Sequence, residues 1–180
     1  MHRRSALYTL SGLAVMSAVP VQATTVQSAR PDDAAAVRAL LDQHAAGWAV
    51  GDVDAMFAMA TDDVHWINIV GMHWQGKAEV IQAYRFFLAT MLKGVPLTLE
   101  AVESVTPVGD DVLVVVSRWL VGAFSPPDGS RIPAASDRLT MVLRRTPEGL
   151  KLAHGANVQI DAAAAPFDPV RNPPPGSSPA

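Results

Sequence analysis

The fold of this chain is decided by the stretch Asp62-Asp63-Val64-His65-Trp66-Ile67-Asn68-Ile69-Val70-Gly71-Met72-His73-Trp74-Gln75-Gly76. Its residues 64–70 are rich in β-branched and aromatic side chains, which predicts a strand that ends at Gly71. Before this strand, Gly51 is a natural helix stop, and Asp52 can cap a second, short helix. The predicted order is therefore helix, turn, short helix and strand.

The segment that leads to Gly51 has the period of an amphipathic helix. Asp32 and Asp33 stand at its start, where carboxylates suit the positive end of the helix dipole. The helical spacing is set by Val37, Leu40, Leu41, His44 and Trp48. A third helix is predicted over residues 76–92, with an apolar stripe made of Val80, Ile81, Tyr84, Phe87, Leu88 and Met91.

Longer strands are predicted in the second half of the chain, at residues 97–107, 112–124, 136–145 and 150–160. The second of these is the most hydrophobic, and we expect it to be central in the sheet. The last two are joined by a hairpin turn at residues 146–149. Helices first and antiparallel strands later indicate an α+β domain, with three N-terminal helices packed on one face of a curved, mostly antiparallel sheet.

Both ends of the chain are expected to lie outside this domain. Residues 1–23 combine a basic start, a short apolar run and a small-x-small site at Ala23, which predicts a signal peptide and a periplasmic or secreted protein. The pair Arg3-Arg4 leaves Sec and twin-arginine export both open, and an uncleaved anchor is the alternative to cleavage. Residues 24–31 form a flexible lead-in, residues 32–161 the domain, and residues 162–180 a Pro- and Ala-rich tail that we expect to be disordered.

The composition excludes several classes of function. The chain has no cysteine, so thiolate metal sites, thiol nucleophiles and iron–sulfur clusters are ruled out. The net charge is −3 and the basic residues do not cluster, so we expect no nucleic-acid partner. After the leader no segment is long and apolar enough to span a membrane. There is no phosphate-binding loop or dinucleotide fingerprint, and no cofactor is predicted.

Motifs spread over most of the domain carry a family likeness. They are Trp48-x-x-Gly51-Asp52, Trp66-x-Asn68-x-x-Gly71-Met72-x-Trp74-x-Gly76-Lys77, Lys93-Gly94, Leu97-Thr98-Leu99-Glu100 and Arg118-Trp119. In these motifs the chain resembles SnoaL-like proteins of the nuclear-transport-factor-2-like superfamily, and more narrowly the SgcJ/EcaC group. The resemblance implies a ketosteroid isomerase-like cone that encloses an apolar pocket. It also implies a small apolar or aromatic ligand of polyketide or steroid-like shape, and a homodimer.

The resemblance also allows a comparison of single positions. Counted from the Gly51-Asp52 turn, Asn68 falls where ketosteroid isomerases carry their aspartate base. His44 falls where they carry the tyrosine that donates to the oxyanion. An asparagine cannot take up a proton near neutral pH, so Asn68 could orient a substrate but not act as its base. We predict His44 and Asn68 as catalytic residues, with a surface histidine as the alternative for His44.

Alternation along a strand predicts which side chains face the pocket. If Asn68 faces inward, so do Trp66 and Val70, while His65 and Ile69 face away. An aromatic–amide pair of this kind can stack on a flat ligand and hydrogen-bond its carbonyl. The alternative is a core tryptophan beside an asparagine that bonds neighbouring backbone. The predicted ligand-binding residues are Trp48, Trp66, Trp74, Trp119 and Asn157.

Three of these assignments have alternatives of their own. Trp48 is favoured as a core residue. Arg118 and Trp119 are adjacent on a strand, so only one of them can point inward, and an inward Trp119 is the commoner arrangement. Asn157 shares a strand face with Gly155, whose small size would leave room for a ligand.

The remaining polar residues carry weaker signals. His65, His73 and His154 match no zinc-ligand spacing, and no metal site is predicted. Asp137 is the nearest candidate for a carboxylate at the mouth of the pocket, although a solvated strand end is favoured. Tyr84 fits the apolar stripe of the third helix.

The sequence thus supports two main hypotheses. The first is an exported domain whose apolar pocket binds a small molecule. The second is an enzyme that uses acid–base chemistry in the same pocket, of the SgcJ/EcaC oxidoreductase type or of the cyclase, isomerase or dehydratase type. A third interpretation is a protein-interaction module that uses the outer face of the sheet.

Overall fold

A long helix opens the computed structural model, which describes residues 30–173. This helix, α1 (Pro31–Val50), has Pro31 in its first turn, where the missing N–H removes no helical hydrogen bond. Asp33 accepts a hydrogen bond from the backbone N–H of Arg30, with 2.7 Å between N and Oδ2. Gly51 ends the helix in the left-handed region at φ 75°, as glycine does most readily. Both predicted helix signals at the two ends are therefore confirmed.

The predicted signal peptide, residues 1–23, lies outside the described residues, and so do residues 24–29 of the lead-in and residues 174–180 of the tail. Across residues 30–173, no helix has both the length and the apolar character that a membrane crossing requires.

Two further helices follow α1. The short helix α2 (Val53–Met56) is capped by Asp52, whose Oδ1 accepts from the backbone N–H of Ala55 at 2.9 Å. The third helix, α3 (Lys77–Ala89), is shorter than the predicted residues 76–92. It ends at Thr90, whose hydroxyl donates to the carbonyl of Phe86 and so competes with continuation of the helix.

Six strands form one open sheet. They are β1 (Ala60–Ile67), β2 (His73–Gln75), β3 (Leu97–Val108), β4 (Val112–Val121), β5 (Ala135–Thr146) and β6 (Gly149–Gln159). Their order across the sheet is β2-β1-β6-β5-β4-β3. Strands β1 and β6 pair in parallel, and every other neighbouring pair is antiparallel. The predicted α+β class is confirmed, as is the hairpin between β5 and β6.

The prediction that residues 112–124 form a central strand is wrong. The corresponding strand, β4, lies second from the edge, and β6 and β5 occupy the centre. One face of β4 is buried, with Leu113 and Val115 at 0% exposure, while Val114 and Val116 on the other face are half-buried. A continuously hydrophobic strand is therefore one that is covered on both faces, and its hydrophobicity does not predict whether it lies at the centre or near the edge of the sheet.

The predicted strand at residues 64–70 ends earlier than expected. Strand β1 stops at Ile67 because Asn68 turns the chain. The Asn68 Oδ1 accepts from the backbone N–H groups of Val70, at 3.1 Å, and Met72, at 2.8 Å. This turn lets β2, which was not predicted, pair with β1. Alternation stops with the strand, so Ile69 lies on the cavity described below and does not face away from it.

The core lies between the three helices and one face of the sheet. Trp66 is 1% exposed and Phe57 is 0% exposed, whereas His65, the neighbour of Trp66, is exposed on the other face. The other large side chains that are fully buried are Leu41, Met56, Leu113, Met141, Leu143, Leu152, Val37, Val64, Val80 and Val115. Packing of aliphatic and aromatic groups holds this domain together without disulfides.

The tail contains a short element that its proline content did not predict. Residues Ala162–Phe167 form a 3₁₀ helix with no buried residue. Asp161 caps it by accepting from the backbone N–H of Ala163 at 2.9 Å. Its proline, Pro166, stands near the end of the helix.

Candidate functional site

A cavity of about 410 Å³ lies between the helices and the sheet. Most of its lining is apolar or aromatic, and Val70 and Met72, which are 70% and 51% exposed, lie at its rim. The structure brings together on this cavity all of the residues selected from the sequence, namely His44, Asn68, Trp48, Trp66, Trp74, Trp119 and Asn157. Their roles in binding or catalysis remain predictions.

His44 is a buried residue of the cavity wall. It is 7% exposed and packs against three aromatic rings, with ring centroids 5.4 Å from Phe57, 6.4 Å from Trp66 and 5.9 Å from Trp119. Its Nδ1 lies 3.3 Å from the carbonyl oxygen of Met56, so the neutral ring donates from Nδ1.

This environment decides what His44 can do chemically. Burial lowers the pKa of His44 to about 4, although the hydrogen bond to Met56 acts in the opposite direction. At neutral pH the imidazole is therefore uncharged. Its one N–H proton, on Nδ1, is used in the hydrogen bond to Met56, so only the Nε2 lone pair faces other groups. The alternative that His44 is a surface histidine is wrong, because the residue is buried. The low pKa also argues against His44 as a proton donor near neutral pH.

Asn68 lies on the cavity, but its carbonyl is already occupied. Because Oδ1 accepts from two backbone N–H groups, the orientation of the amide is fixed. Nδ2 makes no hydrogen bond to any residue that the structure describes, so it is the group that could donate to a ligand. The alternative in which Asn68 bonds neighbouring backbone is therefore confirmed. Asn68 also borders the cavity, and its contact with a ligand stays a prediction.

The indole N–H groups of the buried tryptophans differ in their partners. Trp48 donates to the carbonyl of Val95 at 2.7 Å, and Trp119 donates to the hydroxyl of Ser117 at 2.9 Å. The Nε1 of Trp66 is buried, and among residues 30–173 its neighbouring polar group is the hydroxyl of Tyr84. Trp48 is both a core residue and part of the cavity wall.

Strand β4 settles the choice between Arg118 and Trp119. Trp119 is 3% exposed on the cavity side. Arg118 lies on the outer face of the sheet, where its Nε is 3.2 Å from Glu100 and its Nη1 is 3.5 Å from Glu103. Arg138 joins the same ladder, with its Nε 2.7 Å from Glu103. These cations are therefore kept away from the cavity.

Asp137 is the functional candidate that the sequence undervalued. The favoured interpretation was a solvated strand end, but the structure places the carboxyl half-buried in the cavity wall. It pairs in register with Trp119 on β4 and Gln159 on β6. In the described part of the chain it has no ion pair or hydrogen bond, and burial raises its pKa to about 6. The signal was available, because Leu139 and Met141 continue the same inward face of β5.

Tyr84 was interpreted only as part of an apolar stripe. It is 7% exposed on α3, and its ring lies against those of Trp66 and Trp74, with centroids 5.8 Å and 6.0 Å away. Burial raises the pKa of the phenol, the indole of Trp66 acts in the opposite direction, and the charge of Asp137 raises it further. The hydroxyl thus lies near both groups and stays protonated at neutral pH.

The three histidines weighed as metal ligands lie away from the cavity. His65 Nδ1 and His73 Nε2 are 2.9 Å apart on the exposed side of β1 and β2. His154 is the cross-strand partner of His65, and its pKa is lowered by burial and by both neighbouring imidazoles. Among residues 30–173, no group of three or more His, Cys, Asp or Glu side chains is arranged to hold a metal ion.

Three helices on a mostly antiparallel open sheet, with a cavity between the layers, form the fold of solved structures that are described as ketosteroid isomerase-like and nuclear-transport-factor-2-like. The family model of the SnoaL-like domain matches residues 37–157, which is more than half of the chain. The chain belongs to the SnoaL-like domain family.

Solved structures of similar fold come from several organisms. An uncharacterised protein with a cystatin-like fold from Caulobacter vibrioides is 27% identical, with a TM-score of 0.73 over 78% of this chain and 98% of its own. A ketosteroid isomerase-like protein from Erwinia carotovora atroseptica is 20% identical, with a TM-score of 0.62 over 73% and 99%. A proposed aromatic ring hydroxylase from Novosphingobium aromaticivorans is 19% identical, with a TM-score of 0.64 over 74% and 93%. The last two show the fold alone. No protein of curated function matches this sequence.

Proposed function

We propose that this domain binds a small, flat and largely apolar molecule in the cavity between its helices and sheet. The observation that carries the proposal is the cavity of about 410 Å³, because ligand sites are concave, mostly apolar and of this size. The proposal is supported by the few polar groups that line the same cavity, among them Asp137, Asn68 and Asn157, because such groups orient a bound molecule. Two proteins of the same fold are named for chemistry on rings, as an aromatic ring hydroxylase and as ketosteroid isomerase-like.

The chain carries its own reporter for this test, since all four of its tryptophans line the cavity. Bicyclic and tricyclic aromatic hydrocarbons and ketones are titrated while tryptophan fluorescence is followed. We expect saturable quenching in the wild type. The cavity-filling variant Ala135→Phe should lose it, whereas Ser136→Phe, its neighbour on the opposite face of β5, should keep it. Equal binding by Ala135→Phe and the wild type would place the ligand elsewhere and end the proposal.

A second function, acid–base catalysis, is favoured by the carboxyl of Asp137. This group faces an apolar cavity without a cation partner, and its pKa of about 6 makes it a stronger base than an ordinary aspartate. Asn68 cannot take up a proton and His44 is a weak base, so Asp137 replaces them as the proton acceptor. The reaction class is removal of a proton from a carbon next to a carbonyl.

Proton removal can be measured without knowledge of the natural substrate. The ketone 2-tetralone is incubated in D₂O, and incorporation of deuterium next to its carbonyl is followed by NMR. We expect the protein to accelerate exchange by about a hundred- to ten-thousand-fold, and the rate to rise with pH as Asp137 ionises near pH 6. Asp137→Asn should abolish the acceleration and the exposed control Glu148→Gln should not. If Asp137→Asn exchanges as fast as the wild type, the catalytic role is wrong.

Export and assembly belong to the same proposal. We expect cleavage after Ala23 and a periplasmic or secreted homodimer. N-terminal sequencing of the mature protein and light scattering after gel filtration address these two points separately. An intact N-terminus or a monomeric mass would overturn the corresponding expectation.

A further inference from the structure

We propose that His65 and His73 form a chelating site for a divalent copper ion on the outer face of the sheet, with water completing the coordination. The two ligands are exposed imidazoles on the neighbouring strands β1 and β2. The site lies on the side of these strands opposite to the cavity, so it is independent of the ligand proposed above and of Asp137. A bound ion joins the short edge strand β2 to β1 as a reversible cross-link.

The first observation is the distance between the two ring nitrogens. His65 Nδ1 and His73 Nε2 are 2.9 Å apart, with ring centroids separated by 5.1 Å and ring planes at 31°. A transition-metal ion binds an imidazole nitrogen at about 2.0–2.1 Å. Two such nitrogens lie about 2.8–3.0 Å apart when they bind at right angles, and about 3.3–3.4 Å apart at a tetrahedral angle. The observed distance therefore fits a square-planar or tetragonal ion.

The second observation is that strand pairing holds the two imidazoles together. His73 pairs with Ile67, which lies two residues from His65 on the same face of β1, so the histidines are diagonal neighbours across an antiparallel pair. Trp66 and Trp74 pair with each other and point the other way, into the cavity. Because alternation along both strands fixes these directions, the two ligands lose little conformational entropy when they bind an ion.

The exchange of a hydrogen bond for the ion is balanced in protons. Between two neutral imidazoles at this distance, one nitrogen donates its proton to the other. When the ion binds, the donor ring takes the alternative tautomer, with its proton on the second ring nitrogen. Both facing nitrogens then carry a lone pair, and no proton leaves the protein. Since both side chains are exposed, their rings can turn these lone pairs towards a common point.

The ligand set selects copper among the divalent ions. Mg²⁺ and Ca²⁺ prefer oxygen ligands, and Asp63, on the same face of β1, is already paired with Arg144 at 3.0 Å. Among residues 30–173 no third His, Cys or acidic side chain is arranged with the two histidines to hold an ion. Zinc sites use three or four protein ligands. Copper has the highest affinity for nitrogen ligands in the divalent series and favours the right-angled geometry, so two imidazoles hold it more tightly than zinc.

The test is a calorimetric titration of the tag-free full chain with Cu²⁺ and, separately, with Zn²⁺. We expect His65→Gln and His73→Gln each to weaken copper binding by at least about tenfold, because loss of even an outer-shell partner of a metal ligand costs about 10–100-fold. The matched control is His154→Gln, which removes the imidazole beside His65 on β6 and should bind copper as the wild type does. Copper held by the chain terminus is common to all four proteins and does not affect the comparison.

Two further readouts do not depend on the affinity. Electron paramagnetic resonance of the copper-loaded wild type should show a tetragonal ion coupled to two imidazoles. Copper should also raise the Tm of the wild type but not that of His65→Gln or His73→Gln, because an ion held across β1 and β2 binds only the folded state.

Three results would overturn the copper site. They are equal copper binding by the wild type and both ligand variants, equal affinity of the wild type for zinc and copper, and a loss in His154→Gln as large as in His65→Gln. None of them bears on the cavity, since the variants keep every residue that lines it.

Discussion

Two inward-facing carboxylates, Asp33 and Asp137, have opposite surroundings. Asp33 is 3% exposed at the start of α1, where it accepts from the backbone N–H of Arg30 and pairs with Arg145 at 2.6 Å. The hydrogen bond from Arg145 is the main cause that lowers its pKa, against the effect of burial. Asp137 faces the cavity, no such partner contacts it within residues 30–173, and burial raises its pKa.

The difference separates structural polar groups from groups available for function. At the junction of α1 and β5 the charge of Asp33 is matched, so the site is inert and stabilises the fold. On the cavity wall the carboxyl of Asp137 has neither an ion pair nor a hydrogen bond among residues 30–173. A half-buried carboxyl of this kind, in a cavity and with a perturbed pKa, is a candidate for function.

The largest effect is expected where the matched carboxylate is removed. Asp33→Ala leaves Arg145 without its partner and leaves the Arg30 N–H without its acceptor, so the free energy of unfolding at pH 7 should fall by about 4 kcal/mol. Urea denaturation measures this change. The control is Asp32→Ala, which removes the exposed neighbouring carboxylate of the same helical turn. A loss no larger than that of the control would show that the ion pair is not structural.

A smaller effect concerns His44, which is satisfied only when neutral. Its pKa is about 4 in the folded protein against 6.5 ordinarily, so the unfolded chain binds more protons between these values. Its contribution to stability is complete above pH 6.5 and is lost as the pH falls through 4, by about 3 kcal/mol in total. His44→Leu should flatten this part of the pH profile of urea denaturation, and Gln43→Leu, at the exposed neighbouring position of the same helix, should not. An unchanged slope in His44→Leu would contradict the assignment.

The sequence predicted the two ends of α1, the cap of α2 and the inward-facing tryptophans because local chemistry determines them. Gly51 and Asp52 adopt their cap geometry without help from distant residues. Two-residue alternation places Trp66 and Trp119 inward once one strand residue is assigned. The positions of His44 and Asn68 on the cavity came from a family likeness, and the structure agrees with them.

The parts that the sequence could not supply depend on tertiary arrangement. The place of β4 in the sheet follows from pairing with β3 and β5, and hydrophobicity does not encode that pairing. Tyr84 lines the cavity because α3 packs its ring against Trp66 and Trp74, and helical spacing does not encode that contact. The Asn68 carbonyl oxygen accepts from backbone N–H groups that would otherwise pair within a strand. Strand β1 ends here because the turn brings the backbone N–H of Met72 within 2.8 Å of that oxygen.

The close packing of Trp66 on Gly155 gives a further test, which concerns the cavity wall. Gly155→Ala puts a Cβ within 2.5 Å of the indole, so the ring must move or the strand must shift. We expect a loss of about 2 kcal/mol in the free energy of unfolding, as for other over-packed cores. The near-ultraviolet circular dichroism should change as well, because Trp66 loses its fixed orientation. Ala156→Ser, on the adjacent outward position, should change neither quantity, and an equal loss in both variants would refute the packing argument.

The smallest effect is a gain of stability on removal of the unmatched carboxylate. Because the pKa of Asp137 is about 6 when folded and 3.8 ordinarily, the folded state binds the proton more tightly. Its favourable contribution is complete below pH 3.8 and is lost as the pH rises through 6.

Asp137→Asn carries no charge at any pH, so it should match the wild type near pH 4. At pH 8 it should be more stable than the wild type by about 1 kcal/mol, less than the full pKa difference implies because water screens the half-exposed carboxyl. Urea denaturation at both pH values measures this difference. A gain at pH 8 with loss of deuterium exchange would show that this chain keeps a destabilising carboxylate for its chemistry. Equal stability of the two proteins at pH 8 would mean that the carboxyl is solvated, and the contrast with Asp33 would then rest on the ion pair alone.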